Sequence, residues 1–128
     1  MAKHSGSPVI PGIQYRDAAR AIDWLCQVFG FEKHKVIPGP NNSIMHSELT
    51  LGTGMIMVGT INETRGAATA GINLTVSDAD AVCARAKQQG AAIVVDIADK
   101  PFGGRGFTCR DPEGHLWDVN TYDPWAAD

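Results

Sequence analysis

Apolar residues recur along this chain with two periods, and the order of those periods is repeated. Val9-Ile10-Pro11-Gly12-Ile13-Gln14-Tyr15 reads as a strand. Asp17 follows where an N-cap carboxylate accepts from free backbone N–H groups. Ala21, Ile22, Leu25, Val28 and Phe29 then fall at helical spacing up to Gly30, a residue that ends helices because left-handed geometry costs it little. Residues 31–37, 44–51 and 55–59 read as strands, separated by Gly39-Pro40-Asn41-Asn42 and by the tight turn Gly52-Thr53-Gly54. Residues 60–69, TINETRGAAT, are polar and small and predict a linker. The order then returns. Residues 71–76 alternate as a strand, and Ser77 with Asp80 approximates a capping box. Ala79, Val82, Cys83 and Ala86 form a helical stripe that Gly90 ends, and strands follow at 91–97, 105–110 and 115–121. Asp111-Pro112-Glu113-Gly114 is type I turn chemistry. Each half is thus β-α-β-β-β. Neither half covers both faces of its own small sheet, so the two are expected to pack together.

Length and composition add bounds. The 128 residues predict a single domain spanning 1–128, with modules at about 8–60 and 70–125. Apolar residues at 44% and charged residues at 20% suit a globular core and exclude disorder as the main state. Fourteen acidic against eleven basic residues leave a net charge of −3, which argues against nucleic acid as a partner. No apolar run approaches the roughly 18 residues of a membrane span. The opening MAKHSGS, a tail expected to be mobile and holding His4, does not read as a signal peptide. Cys26, Cys83 and Cys109 are odd in number and form no C-x-x-C pair, so free thiols in a reducing cytoplasm are expected.

Two segments carry more. Asp17-Ala18-Ala19-Arg20-Ala21-Ile22-Asp23-Trp24-Leu25 leads into Val28-Phe29-Gly30-Phe31-Glu32. Arg110-Asp111-Pro112-Glu113-Gly114-His115-Leu116-Trp117 precedes Thr121-Tyr122-Asp123-Pro124-Trp125. With the duplicated order, they resemble the vicinal oxygen chelate superfamily in its glyoxalase/bleomycin-resistance branch, over about 9–125. The resemblance implies an α+β fold in which two βαβββ modules form a cup-shaped mixed sheet. It also implies a cavity closed between modules, usually from two chains, and hence a homodimer. In the family's metal enzymes four His, Glu or Gln ligands stand on the first and last strands of the two modules. Those positions fall here on Ile10, Met57, Gly71 and Asp118. Ile10 and Gly71 have no donor, and a thioether prefers soft Cu(I). A one-residue slip brings in Pro11, Ile56 or Ile72, and a longer one Gln14. The expectation is no metal and no cofactor.

Strand alternation sorts the remaining candidates. Ile13, Tyr15, Ile56, Val58, Ile72, Leu74, Val76, Trp117 and Val119 are expected to face the helices. Gln14, Met55, Met57, Asn73, Thr75, Leu116, Asp118 and Asn120 take the other face, and His46, Glu48 and Thr50 share one face of their strand. Adaptable thioethers beside a few hydrogen-bonding groups describe a small-molecule site, predicted at His46, Glu48, Met55, Met57, Asn73, Asp118 and Asn120. Glu48, His46 and Asp118 are the candidates for catalysis. His46 and Glu48, two apart on a strand, form either an acid/base pair, two ligands or a polar edge. Asp118 either anchors a ligand or is a carboxylate satisfied by Arg105 or Thr108. The plainer expectations are a hairpin hydrogen bond for His115, surface for His34, core for Trp24 and Trp117, and a rim loop for Gly103-Gly104-Arg105-Gly106. Trp125 is placed to reach a second subunit, Cys26 and Cys83 are packing residues, and the role of Cys109 stays open. The functional expectation is a metal-independent small-molecule-binding homodimer that sequesters a drug or metabolite, with no membrane or nucleic-acid partner. The alternative is a lyase, isomerase or dioxygenase of the same superfamily.

Overall fold

The computed structural model describes residues 6–7, 9–62 and 69–125. His4 and residues 63–68 of the expected linker lie outside the described residues. The chain divides into two compact units, Met1–Ala68 and Thr69–Asp128. Unit 1 comprises β1 (Gly12–Tyr15), α1 (Ala18–Phe29), β2 (Glu32–Pro38), β3 (Ile44–Leu51) and β4 (Gly54–Thr60). Unit 2 comprises β5 (Gly71–Thr75), α2 (Ala79–Gln88), β6 (Ala92–Asp99), β7 (Arg105–Arg110) and β8 (Leu116–Asn120). The sheets run β1-β4-β3-β2 and β5-β8-β7-β6. In each, the first strand is parallel to the last and the other pairs are antiparallel. The architecture is the expected α+β one, with a mixed four-stranded sheet and one helix in each unit.

Local chemistry explains the elements. Asp17 caps α1 by accepting from the Arg20 N–H at 3.1 Å, and Gly30, at φ 85°, ends it. The cap of α2 is Asp78, which accepts from the Ala81 N–H at 3.0 Å. This corrects the expectation of Ser77: two adjacent residues carry competent acceptors, and the helix starts one residue later. β1 is shorter than expected because Pro11 brings no N–H to the ladder; its carbonyl still accepts from the Met57 N–H.

Each helix buries one stripe against its own sheet. In unit 1 Ala21, Ile22, Leu25, Val28 and Phe29 are buried, as are Ile13, Tyr15, Leu49, Ile56 and Val58 of the strands. In unit 2 Ala79, Val82, Cys83 and Ala86 are buried, with Leu74, Phe107, Cys109, Trp117 and Val119. Alternation therefore holds on the helix-facing side, with Ile72 and Val76 only half-buried. The glycines at 103–106 are structural. Lys100 N–H donates to the Gly104 carbonyl, closing the β6–β7 turn. A Cβ on Gly106 would stand 2.5 Å from that of Asn120, so only glycine lets β7 approach β8 there.

Candidate functional site

The site in unit 1 lies on a face of the sheet shared by β1, β4 and β3, near the end of the β3–β4 register. The β3–β4 register runs from Leu51↔Gly54 to Glu48↔Met57 and stops. Beyond it side chains hold the strands. The fully buried Ser47 hydroxyl donates to the Val58 carbonyl at 2.6 Å, and the Ile44 N–H donates to Thr60 Oγ1 at 2.8 Å. On this face lies a pocket of about 300 Å³, lined by Ile10, Gly12, Gln14, Met45, His46, Met57, Val58, Gly59 and Asn62. Its size is at the lower end of ligand cavities. A Cβ on Gly59 would stand 3.2 Å from Gln14 Oε1, so that glycine makes room for the amide.

His46 Nε2 lies 2.7 Å from Glu48 Oε2. Both residues are on β3 two positions apart, and a strand turns such side chains to the same face. The Glu48 carboxyl is held below the usual carboxylate range, chiefly by its hydrogen bond with His46 and against some desolvation. His34 Nε2 stands 3.8 Å from Glu48 Oε1, and Lys35 is opposite Glu48 in the β2–β3 register. An ionised carboxylate only accepts, so Nε2 carries the hydrogen. His46 and Met57 thus line the pocket, and Glu48 reaches it through His46. Met55 stands two residues along β4, opposite Thr50, and is not among the lining residues.

Asn73, Asp118 and Asn120 meet in unit 2. Asn73 and Asp118 are register partners, and Asn120 Nδ2 donates to Asn73 Oδ1 at 2.9 Å. Asn120 Oδ1 is buried and has no partner among the described residues. Asp118 Oδ1 accepts from the Thr108 hydroxyl at 2.6 Å. Of the two neighbours expected for that carboxylate it is Thr108 that supplies the bond; Arg105 pairs with Asp80 at 2.9 Å and Asp99 at 3.5 Å.

The other expected residues are structural. His115 Nδ1 accepts from the Ala70 N–H at 2.8 Å, so it ties the hairpin to the start of β5. Trp117 is fully buried, and its indole N–H donates to Asp111 Oδ2 at 3.0 Å; Trp24 is buried beside Phe29. Burial pushes the Cys109 thiol up to about 12, with Asp111, Cys83 and Asp118 adding to the shift. A thiol that stays protonated at neutral pH is not a nucleophile. Trp125 is 94% exposed.

The family's metal positions do not fit a divalent ion. Ile10 and Gly71 offer no donor, Met57 offers a thioether, and Asp118 already binds Thr108. Among the described residues no group of three or more His, Cys, Asp or Glu is arranged to hold a metal.

Sequence reasoning missed Ile10, Gly12, Met45, Gly59 and Asn62 as pocket residues, assigned Val58 to the helix-facing side, and placed Gln14 on the correct face without assigning it to the site. Strand alternation signals a face, whereas the stretch of that face where the β3–β4 register ends has no periodic signature. Asn62 belongs to the stretch read as linker.

Residues 8–119 match the family model of the Glyoxalase/Bleomycin resistance protein/Dioxygenase superfamily. An uncharacterized protein of Mycobacterium bovis is 30% identical over 120 residues, covering 85% of this chain and 79% of that protein. TioX from Micromonospora sp. ML1 is 36% identical, with a TM-score of 0.77 over 90% of this chain and 98% of its own. TnmS3, an antibiotic binding protein from Streptomyces sp. CB03234, shares the fold at 21% identity, with a TM-score of 0.70 over 91% of this chain and 98% of its own.

Proposed function

The chain belongs to the Glyoxalase/Bleomycin resistance protein/Dioxygenase superfamily, and from that membership we propose a single-domain, metal-independent small-molecule-binding protein. It sequesters a drug or metabolite in the cytoplasm, as a homodimer. The observation that carries this reading is the unit 1 pocket. Met45, Met57 and Ile10 offer adaptable apolar surface, and Gln14, His46 and Asn62 offer polar groups. Glu48 and Met55 on the same sheet are proposed as further ligand contacts of unit 1, and Asn73, Asp118 and Asn120 as ligand contacts of unit 2. That a fold relative is an antibiotic binding protein agrees with enclosure as the mechanism. Metal independence rests on the donor-poor residues at positions 10, 57 and 71.

The homodimer follows from the family's habit of closing its cavity between modules of two chains. No helix among the described residues is long and apolar enough to cross a membrane, and the free thiols agree with a reducing compartment.

The test combines calorimetric titration of ring compounds with elemental analysis of the same sample. Saturable binding by protein that holds far less than one metal per chain is expected. Binding that disappears with a chelator overturns metal independence, and a light-scattering mass of one chain overturns the dimer. The 2.7 Å contact of His46 with Glu48 favours a second reading, an acid/base lyase or isomerase. Turnover of a bound compound by metal-free protein, abolished in Glu48→Gln, would select it.

A further inference from the structure

We propose that the His46–Glu48 pair makes the unit 1 pocket a proton-accepting site, which takes a ligand through a weakly acidic hydroxyl, a phenol or an enol, and holds it as the anion. The inference rests on the reading of this pocket as a ligand site. It goes further by naming the group that the site selects and the charge state in which it is held.

Among the described residues lining the pocket, His46 is the sole titratable one. Its Nε2–H is committed to Glu48, so its acceptor is Nδ1, and no described residue hydrogen-bonds there. A neutral imidazole fixed in that tautomer presents one lone pair, which binds a ligand O–H and cannot bind an ether or an anion. An imidazole nitrogen with its lone pair uncommitted can take a proton from an acidic O–H, the general-base role of histidine.

The transfer is balanced. The ligand O–H bond breaks, the proton forms a new N–H bond at Nδ1, and the electron pair stays on the ligand oxygen. The imidazolium then lies between the Glu48 carboxylate and the ligand oxyanion, as in other carboxylate-oriented imidazole bases. The Glu48 carboxylate, 2.7 Å from Nε2, favours the imidazolium. On β3 the near charge is Glu48; on β2, His34 approaches Glu48 and Lys35 adds a positive field there. From β4 and β1 the pocket receives Met57, Val58, Gly59, Gly12 and Gln14, none of them charged. The amides of Gln14 and Asn62 supply neutral polar groups near the new anion. A cavity of about 150 Å³ holds benzene, so about 300 Å³ takes one substituted ring.

The probe is 4-nitrophenol, whose phenolate absorbs in the visible, with 4-nitroanisole as the isostere lacking a proton to give. The solution is held one unit below the free probe's own pKa, where about one tenth is ionised. Saturating protein is expected to raise the phenolate fraction above about one half, an apparent pKa lowered by about one unit or more. His46→Gln, which keeps polarity but not basicity, is expected to bind the probe with no such rise, and Glu48→Gln to reduce it. The wild-type comparison of the two probes needs no variant to fold. If calorimetry shows saturable 4-nitrophenol binding with an unchanged phenolate fraction, or if His46→Gln keeps the full rise, the proposal falls. If 4-nitroanisole binds as tightly as 4-nitrophenol, the pocket stands as a ligand site and the proposal falls alone. If neither probe binds, both readings of the pocket fall.

Discussion

Ser47 donates its hydroxyl hydrogen to the Val58 carbonyl at 2.6 Å, at the point where the β3–β4 backbone ladder ends. One side chain thereby replaces a ladder bond and satisfies a carbonyl beyond the end of the backbone register. Replacing Ser47 by Ala removes the donor and leaves that acceptor unsatisfied. An unmet buried group costs about 1–3 kcal/mol. Ser47→Ala is therefore expected to lose that much stability in urea denaturation, and to weaken binding in the adjacent pocket.

Asp111 holds the β7–β8 turn in the same way. Its carboxylate accepts from the Trp117 indole, from the His115 N–H at 3.1 Å and from the Glu113 N–H at 3.0 Å. Asp111→Ala leaves those donors without it, and at about 1–3 kcal/mol for each unmet buried group a loss of at least about 2 kcal/mol is expected. Asp111→Asn, which keeps one carbonyl oxygen, should lose less. Denaturation followed by tryptophan fluorescence separates the two variants.

The duplicated βαβββ order was legible because its signals are local. Asp17 caps one helix, Gly30 and Gly90 take positive φ behind the two helices, and alternation separates Ile56 and Val58 from Met55 and Met57. The pocket was legible only as a face. Its position on that face lies near the end of the β3–β4 register, and Ser47 bears no periodic mark of that. The partner of Asp118 was likewise open to two residues. The β6–β7 turn and the start of α2 bring Asp99 and Asp80 to Arg105, which leaves Thr108 to meet the carboxylate.

Cys109 predicts alkaline behaviour. Its thiol is raised from an ordinary value of 9.0 to about 12 by burial. Below pH 9 both folded and unfolded chains hold the proton, and the group contributes nothing to pH dependence. Above it the unfolded chain releases a proton that the folded chain retains, so stability falls as pH rises between about 9 and 12, with a slope of at most about 1.4 kcal/mol per pH unit. Denaturation at pH 8, 9.5 and 10.5 should show the fall in wild type and a smaller one in Cys109→Ala. At pH 8 a thiol reagent should label Cys26, which is partly exposed, ahead of Cys83 and Cys109, which are buried.

Asp118 tests whether unit 2 takes part in ligand recognition. One carboxylate oxygen accepts from Thr108, and the other has no protein partner among the described residues. Asp118→Asn keeps a carbonyl oxygen for the Thr108 hydroxyl and removes the charge, so the fold should survive with little change in stability. A ligand that donates from an ammonium group to Asp118 should lose about 1.5–3 kcal/mol, the worth of a charged hydrogen bond, or roughly tenfold or more in affinity. Its neutral isostere should bind both proteins alike. Met57→Ala supplies the contrast: it removes apolar contact in the pocket and should weaken charged and neutral ligands together. Calorimetric titration of the matched ligand pair against the three proteins decides it. If the ammonium ligand binds Asp118→Asn as tightly as wild type while Met57→Ala weakens both ligands, recognition belongs to the unit 1 pocket and Asp118 serves β7 and β8 alone.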